Sequence, residues 1–412
     1  MYETGEEIEK VLLVAVEDGS DGLTGAEESL DELAELVKTA GAEAVGRLVQ
    51  NRESAHPGTY LGKGKLEELA ELLAATGASG IVTDDELSPV QMKNLEDALQ
   101  CNVMDRTMVI LDIFAQHAMT GEGKLQVELA QLRYRSSRLV GMGRAMSRLG
   151  GGIGTRGPGE KKLEVDRRTI RNRIGQLNHE LAEVRKNRDV RREQRRRSAI
   201  PVVAIVGYTN AGKSTLLNRL TDAGVLSKDA LFATLDPTTR NYRLPNGQEV
   251  LFTDTVGFIR KLPHHLIDAF RSTLEEAKYS DLILHVVDAS NENADVQMAV
   301  VYDTLQRLEI GDRKVITAMN KQDLVTESNW KDLRAERTVR ISAKTGEGIP
   351  ALLDAISEVL LEGKVYIERV YGYDEITKLQ GIRKYGQLLE EEYVADGIAI
   401  KAYVPKDRRD LL

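Results

Sequence analysis

Nine consecutive residues carry the clearest chemistry in the chain: Gly207-Tyr208-Thr209-Asn210-Ala211-Gly212-Lys213-Ser214-Thr215. They follow the apolar run Pro201-Val-Val-Ala-Ile-Val206 and lead into Leu216-Leu217-Asn218-Arg219-Leu220, so they sit between a strand-like and a helical pattern. Glycines at both ends of the loop let successive backbone N–H groups curl around phosphates. Lys213 can reach the outer phosphates, and Ser214 can offer its hydroxyl to Mg2+. The helix that follows adds the positive end of its dipole. The chemistry implied is capture of a nucleotide polyphosphate.

Which base accompanies those phosphates is written further along. Asn320-Lys321-Gln322-Asp323 ends the apolar segment Lys314-Val-Ile-Thr-Ala-Met319. A carboxylate at Asp323 can accept hydrogen bonds from the ring N–H and the exocyclic amine of guanine, whereas adenine offers no matching donor pair. If that carboxylate is buried and left unpaired by the wrong base, the loss discriminates strongly. Asp323 therefore selects guanine. Between the two motifs, Asp254-Thr255-Val256-Gly257 closes the strand-like Val250-Leu-Phe-Thr253, where a carboxylate can hold Mg2+ through water and the Gly257 amide can meet a γ-phosphate. Ser342-Ala343-Lys344, after Thr338-Val-Arg-Ile341, supplies groups that close over the base.

These motifs, with Phe232-Ala233-Thr234-Leu235-Asp236 and its continuation to Arg240, Asp254 to Phe258, and the glycine-rich segment from Gly150 to Gly159, resemble the HflX family of translational GTPases in the Obg-HflX group. The likeness runs through nearly the whole chain. It implies GTP hydrolysis, a resident Mg2+, and binding to the large (50S) ribosomal subunit, with splitting of stalled or idle ribosomes. A runner-up reading is an RNA-binding assembly or scaffolding factor in which GTP only switches affinity. No methylation or nuclease constellation is legible.

Catalysis is expected to rest on Lys213, Thr234 and Gly257. From the residues alone Thr234, Thr238 or Thr239 could meet Mg2+; the family pattern points to Thr234, with Ser214 as the second metal ligand. After the aspartate-to-glycine motif comes Phe258, an apolar side chain that cannot orient water as a glutamine does, so intrinsic hydrolysis is expected to be slow. Asn210 resembles the loop asparagine of potassium-activated GTPases and suggests K+ as a second cation. His264 and His265 read as residues facing solvent or a partner.

The elements that must position these groups follow from pattern and charge. With 412 residues the chain needs several cores. The expected division is an α/β N-terminal domain over 1–120, a basic helical hairpin over 121–198, a phosphate-loop GTPase domain over 199–362, and a small α/β domain over 363–412. In the first, Val11 to Val16, Leu30 to Ala40, Gly80 to Thr83 and Pro89 to Leu99 alternate strand and helix patterns, the rhythm of a parallel α/β layer. Tyr60 to Lys65 reads as an ordinary turn before a helix at Leu66 to Ala75, with a weak likeness to an anion-binding turn. In the last, Val365 to Tyr371 and Gly397 to Val404 flank a segment, Lys378 to Val394, that reads as helical.

The hairpin carries the charge anomaly. The chain has a formal net charge of −9, yet residues 131–197 hold 20 Lys and Arg against 7 Asp and Glu. That segment is therefore +13 and the remainder −22, the footprint of an electrostatic docking surface. Leu125, Leu129, Leu132 and Leu139 share one helical face, and Ile170, Ile174, Leu177, Leu181 and Val184 recur as a coiled-coil seam. Met142 to Gly159 is rich in glycine and is expected to form a non-helical tip, whose Arg144, Arg148 and Arg156 suit a tight RNA crevice. The single cysteine, Cys101, cannot pair within the chain. No apolar run is long enough to span a bilayer. A cytoplasmic, ribosome-associated monomer is expected.

Overall fold

The computed structural model describes residues 8–17, 19, 25–147, 158–197, 200–221, 231–232, 238–261, 276–311, 313–325 and 331–406. Ala233, Thr234, Leu235, Asp236, Arg148, Arg156, His264 and His265 lie outside them. The chain is α/β and divides into two compact units: Met1–Ala182 with Ala230–Phe232 and Lys261–Phe270, and the remaining segments from Glu183 to Leu412.

In the first unit four strands, β1 (Lys10–Glu17), β2 (Glu43–Asn51), β3 (Gly80–Thr83) and β4 (Asn102–Asp105), form a parallel sheet in the order β2-β1-β3-β4. Covered on both faces, β1 can be a continuous apolar run, and its six central residues are buried. Helices α1 (Ala26–Thr39), α2 (Lys63–Thr76) and α3 (Pro89–Leu99) make the crossovers, and α4 (Arg106–His117) follows β4. Local chemistry sets their ends. In α3 the Ser88 hydroxyl and the Gln91 side chain cap each other's backbone N–H groups, with Pro89 in the first turn. α2 starts three residues earlier than expected, because the Gly62 N–H is satisfied by Gln50 Oε1 at 2.8 Å and Lys65 pairs with Glu68. Cys101 is half-buried, and burial pushes its thiol up.

Beneath the ends of β1 and β3 lies a charged network. Asp84 accepts from Ser29 at 2.7 Å, from Arg106 at 2.8 Å and from Lys261 at 2.6 Å, while Arg106 also meets Glu32 and Lys261 also meets Asp85 at 2.9 Å. Burial works to raise the Asp84 carboxyl, but Arg106 and Lys261 outweigh it and hold the group below its ordinary value.

Two long helices, α5 (Gly121–Ser147) and α6 (Pro158–Arg197), correspond to the expected hairpin. Leu129, Leu177 and Leu181 form its buried seam, with Leu125, Leu132 and Ile174 packed against them. Arg173 makes a two-pronged contact with Glu128 at 2.7 and 2.8 Å, and Arg167 reaches the Leu139 carbonyl, so the helices run antiparallel. The expectation that glycine ends the first helix at Met142 is corrected: α5 continues through Gly143 and Arg144 to Ser147. Each glycine costs only about 1 kcal/mol in a helix, and Met142, Arg144, Ala145 and Met146 are good helix formers.

The second unit holds a six-stranded sheet in the order β10-β9-β8-β5-β7-β6. Its strands are β5 (Val202–Gly207), β6 (Thr238–Arg243), β7 (Glu249–Asp254), β8 (Leu282–Asp288), β9 (Val315–Asn320) and β10 (Arg337–Arg340), all parallel except β6, which runs antiparallel to β7. Helices α7 (Lys213–Thr221), α8 (Ala294–Arg307) and α9 (Ile349–Leu361) complete it. Every candidate loop described here emerges at the carboxyl end of a strand, where doubly wound sheets bind ligands. A three-stranded antiparallel sheet, β11 (Lys364–Tyr371), β12 (Gln387–Val394) and β13 (Gly397–Pro405), packs with α10 (Ile376–Tyr385). The reading of Lys378 to Val394 as helix is therefore half corrected. At Gly386 a Cβ would crowd the Ile382 and Tyr403 carbonyls, so the chain turns there, and Glu390 then pairs with Lys401 across the strands.

Candidate functional site

The phosphate loop leaves β5 at Gly207, whose φ of +155° would be strained for any side chain and whose Cβ would run into the Val286 carbonyl. Gly212 is equally constrained: φ is +96°, and a Cβ would collide with Asn320 Nδ2. Both glycines are thus demanded by backbone approach. Lys213 opens α7, is buried, and donates to the Gly207 and Tyr208 carbonyls at 3.1 and 2.7 Å. Burial pulls its ammonium down to about 8, partly opposed by Asp254. Ser214 Oγ donates to Asp254 Oδ2 at 2.8 Å, and Asp254, at the end of β7, is 0% exposed. A hydroxyl and a carboxylate brought together beside a buried ammonium form a hard-oxygen donor set suited to Mg2+.

The start of the next motif is laced to this loop. The Phe258 N–H donates to the Gly207 carbonyl at 3.1 Å, the Thr209 N–H donates to the Phe258 carbonyl at 2.8 Å, and the Arg260 N–H donates to the Tyr208 hydroxyl at 2.9 Å. Thr255 Oγ1 adds a bond to the Ile205 carbonyl. Gly257 has no room for a side chain, since a Cβ would lie 2.9 Å from Lys213 Nζ and 2.9 Å from Thr209 Cγ2. Phe258 is 2% exposed and apolar, as the sequence suggested. Phe232 is buried as well.

A second group of loops is tied to the first by Asn320. Its Nδ2 donates to the Ala211 carbonyl at 2.8 Å, while its Oδ1 accepts from the Ala343 N–H at 2.8 Å. One amide therefore bridges the phosphate loop and the Ser342-Ala343-Lys344 turn. Lys321, in a left-handed conformation with φ of +62°, pairs with Asp288 Oδ2 at 2.6 Å. Asp323 accepts from Ser342 Oγ at 2.6 Å, and that bond is the main cause holding its carboxyl below the ordinary value. Asp323 is itself exposed, within the short turn Gln322–Leu324.

Residues 202–321 match the family model described as a 50S ribosome-binding GTPase, 27–115 the GTP-binding GTPase N-terminal model, and 117–195 the GTP-binding GTPase middle region. A GTPase HflX from Lacrimispora saccharolytica is 63% identical over 408 residues, 99% of this chain and 96% of the relative. The chain belongs to the HflX family of GTPases. Another HflX, from Escherichia coli strain K12, is 47% identical over 337 residues, covering 81% of this chain and 79% of its own. A GTP-binding protein from Sulfolobus solfataricus solved with GDP is 24% identical, covers 86% of this chain and 98% of its own, and has a TM-score of 0.46. As an HflX-family member the chain is a GTPase, converting GTP to GDP and phosphate.

Sequence reasoning found the HflX motifs but missed their fasteners. Arg219, on the helix after the phosphate loop, donates to the Ala343 carbonyl at 3.1 Å and also meets the Lys344 carbonyl. Its one signal was a charge inside the apolar pattern Leu216 to Leu220. The bridging amide of Asn320, the hydroxyl of Tyr208 and the partner role of Asp288 gave no signal of their own, because each acts across more than 50 residues or between distant loops. Of the arginines expected at the hairpin tip, Arg144 lies on α5 and the other two fall outside the described residues. No described helix is long and apolar enough to cross a membrane.

Proposed function

We propose that this chain is a ribosome-associated GTPase that binds the large subunit through its helical arm and splits stalled or idle particles. The observation that carries the reading is the arm itself: two antiparallel helices whose surrounding sequence concentrates +13 of charge in a chain otherwise at −22. Such a surface releases counterions on binding RNA, so its affinity must fall steeply with salt. The description of the matched family model as a 50S ribosome-binding GTPase supports the same partner. Arg144, Arg148 and Arg156 are proposed to contact ribosomal RNA. The protein is proposed to work in the cytoplasm as a monomer.

In the nucleotide site, the amides of Gly207 to Thr215 and the Lys213 ammonium hold the phosphates, Asp323 reads the guanine edge, and Asn320 and the Ser342 to Lys344 turn close over the base. Ser214, with Thr234, would hold Mg2+, and Asp254 would orient it through water. When bound, that ion neutralises charge between the outer phosphates. Gly257 offers its amide to the γ-phosphate and Thr234 completes the catalytic set with Lys213. Phe258 cannot orient water, so the ribosome is proposed to accelerate hydrolysis. Asn210, exposed and in a left-handed conformation with φ of +59°, is proposed to help seat K+.

Sucrose gradients of ribosomes incubated with the protein and GTP, GDP or a non-hydrolysable analogue test the reading. Loss of 70S particles with gain of free subunits is expected with GTP or its analogue. A bound but unsplit particle favours a scaffolding role instead. Single-turnover hydrolysis unchanged by large subunits would remove the activation, and equal rates in sodium and potassium would remove K+.

A further inference from the structure

Phe258 leaves the site short of a polar group near the transferred phosphate, and one buried hydroxyl nearby has no assigned task. Thr209 is 6% exposed, and among the described residues its Oγ1 is buried without a hydrogen-bond partner. Its backbone is fixed, because the Thr209 N–H donates to the Phe258 carbonyl at 2.8 Å. Its side chain lies against Gly257, with the methyl rather than the hydroxyl on the near side. The position a Cβ would take on Gly257 lies 2.9 Å from Thr209 Cγ2, 3.0 Å from Thr209 Cα and 2.9 Å from Lys213 Nζ.

A hydroxyl buried without a partner costs free energy that valine, of nearly the same shape, would avoid. Native interiors leave few such groups, and each calls for an explanation, of which an ordered water, an ion or a catalytic role are the usual ones. On the nucleotide reading above, the terminal phosphate is the group that would meet the loop at this corner. We infer that the Thr209 hydroxyl hydrogen-bonds the γ-phosphoryl group as it is transferred, making Thr209 a catalytic residue supplied by the phosphate loop. The inference rests on the nucleotide reading given above. In the step itself, the water oxygen bonds to the γ-phosphorus and the bond from phosphorus to the β,γ-bridging oxygen breaks. The water's proton leaves on the released phosphate. Thr209 keeps its own proton throughout and contributes a hydrogen bond that strengthens as charge shifts over the transferring oxygens, the kind of contact that raises turnover without tightening substrate binding.

Thr209→Val and Thr209→Ser, in the full chain, test this by three measurements: fluorescent GDP binding, single-turnover GTP hydrolysis, and binding of GDP with aluminium fluoride as a transition-state mimic. In Thr209→Val, GDP affinity is expected to stay within about twofold, while hydrolysis and the extra affinity conferred by aluminium fluoride both fall by about a hundredfold. Thr209→Ser is expected to recover most of both. Wild-type hydrolysis in Thr209→Val overturns the inference. So does an equal loss in both variants, or a loss of GDP affinity in step with the rate, because the residue would then serve only the shape of the loop. Failure of the wild-type chain to bind GDP would instead remove the nucleotide reading beneath it.

Discussion

The Tyr208 hydroxyl accepts the Arg260 backbone N–H at 2.9 Å, and this bond joins the second residue of the phosphate loop to the chain just after Phe258. Together with the two backbone bonds at Gly207 and Thr209, it fixes the path leaving Gly257 before any phosphate arrives. Tyr208→Phe keeps the buried ring and removes one acceptor. A single hydrogen bond is worth about 1 kcal/mol, so the expected result is a roughly fivefold fall in the single-turnover rate with GDP affinity unchanged. Faster hydrogen exchange at the Arg260 amide would accompany it.

Asp323 accepts from Ser342 and is exposed, so the role in base choice proposed for it requires desolvation by the base itself. Asp323→Asn replaces an acceptor-only group by one that also donates, and the match to the N–H and amine of guanine is lost. A charged hydrogen bond is worth about 1.5–3 kcal/mol, which predicts GDP binding weakened by about 10- to 100-fold. Xanthosine diphosphate, with a carbonyl where guanine has its amine, should gain relative affinity. Competition titrations of the two nucleotides on the same variant measure both effects. Because the Asp323 carboxyl is held below its ordinary value, GDP affinity in the wild type should stay level as pH falls from 7 to 5.

His285, inside β8 and 1% exposed, supplies a pH dependence of stability. Burial is the main cause pulling it down from 6.5 to about 4, with Asp332 opposing and Lys213 adding to the shift. The unfolded chain therefore takes up this proton first as pH falls. The stability contributed by the neutral ring is complete above about pH 6.5 and is lost as pH descends toward 4, a change of roughly 3 kcal/mol. Urea unfolding of the wild type and of His285→Gln at pH 7 and pH 4.5 tests the sign: the variant should lose less stability between the two, whatever its stability at pH 7.

How far the sequence reaches is visible in particular residues. Gly207 and Gly212 were legible because steric demands on a loop that approaches Val286 and Asn320 leave one residue type. The parallel character of the first sheet followed from alternating patterns, but its order did not, and β2 and β4 went unread: Gly46 and Arg47 interrupt the apolar run of β2, and only the structure reveals that Gly46 makes room for the Leu12 side chain. β12 read as helix because Glu390, Glu391 and Glu392 are strong helix formers, while pairing with β13 overrides that local preference. The orphaned Thr209 hydroxyl and the Asn320 bridge were beyond pattern altogether, since burial and long-range partners are properties of the fold.

Leu177 is 0% exposed and packs with Leu129 and Leu181 in the seam between the two helices. Leu177→Ala removes buried apolar volume where two helices must hold each other, at a cost of about 2–4 kcal/mol. Between the two helices the seam consists of those leucines with Leu125, Leu132 and Ile174 packed against them, so the expected outcome is faster proteolysis within α5 and α6 and weaker binding to large subunits. GDP affinity should be unchanged, because none of Leu177's packing partners belongs to the nucleotide site. Leu177→Met, which conserves volume, should restore both resistance and subunit binding. If subunit affinity survives in Leu177→Ala while the arm is cleaved rapidly, the large subunit is being engaged by another surface, and the basic charge of residues 131–197 is not what docks the protein.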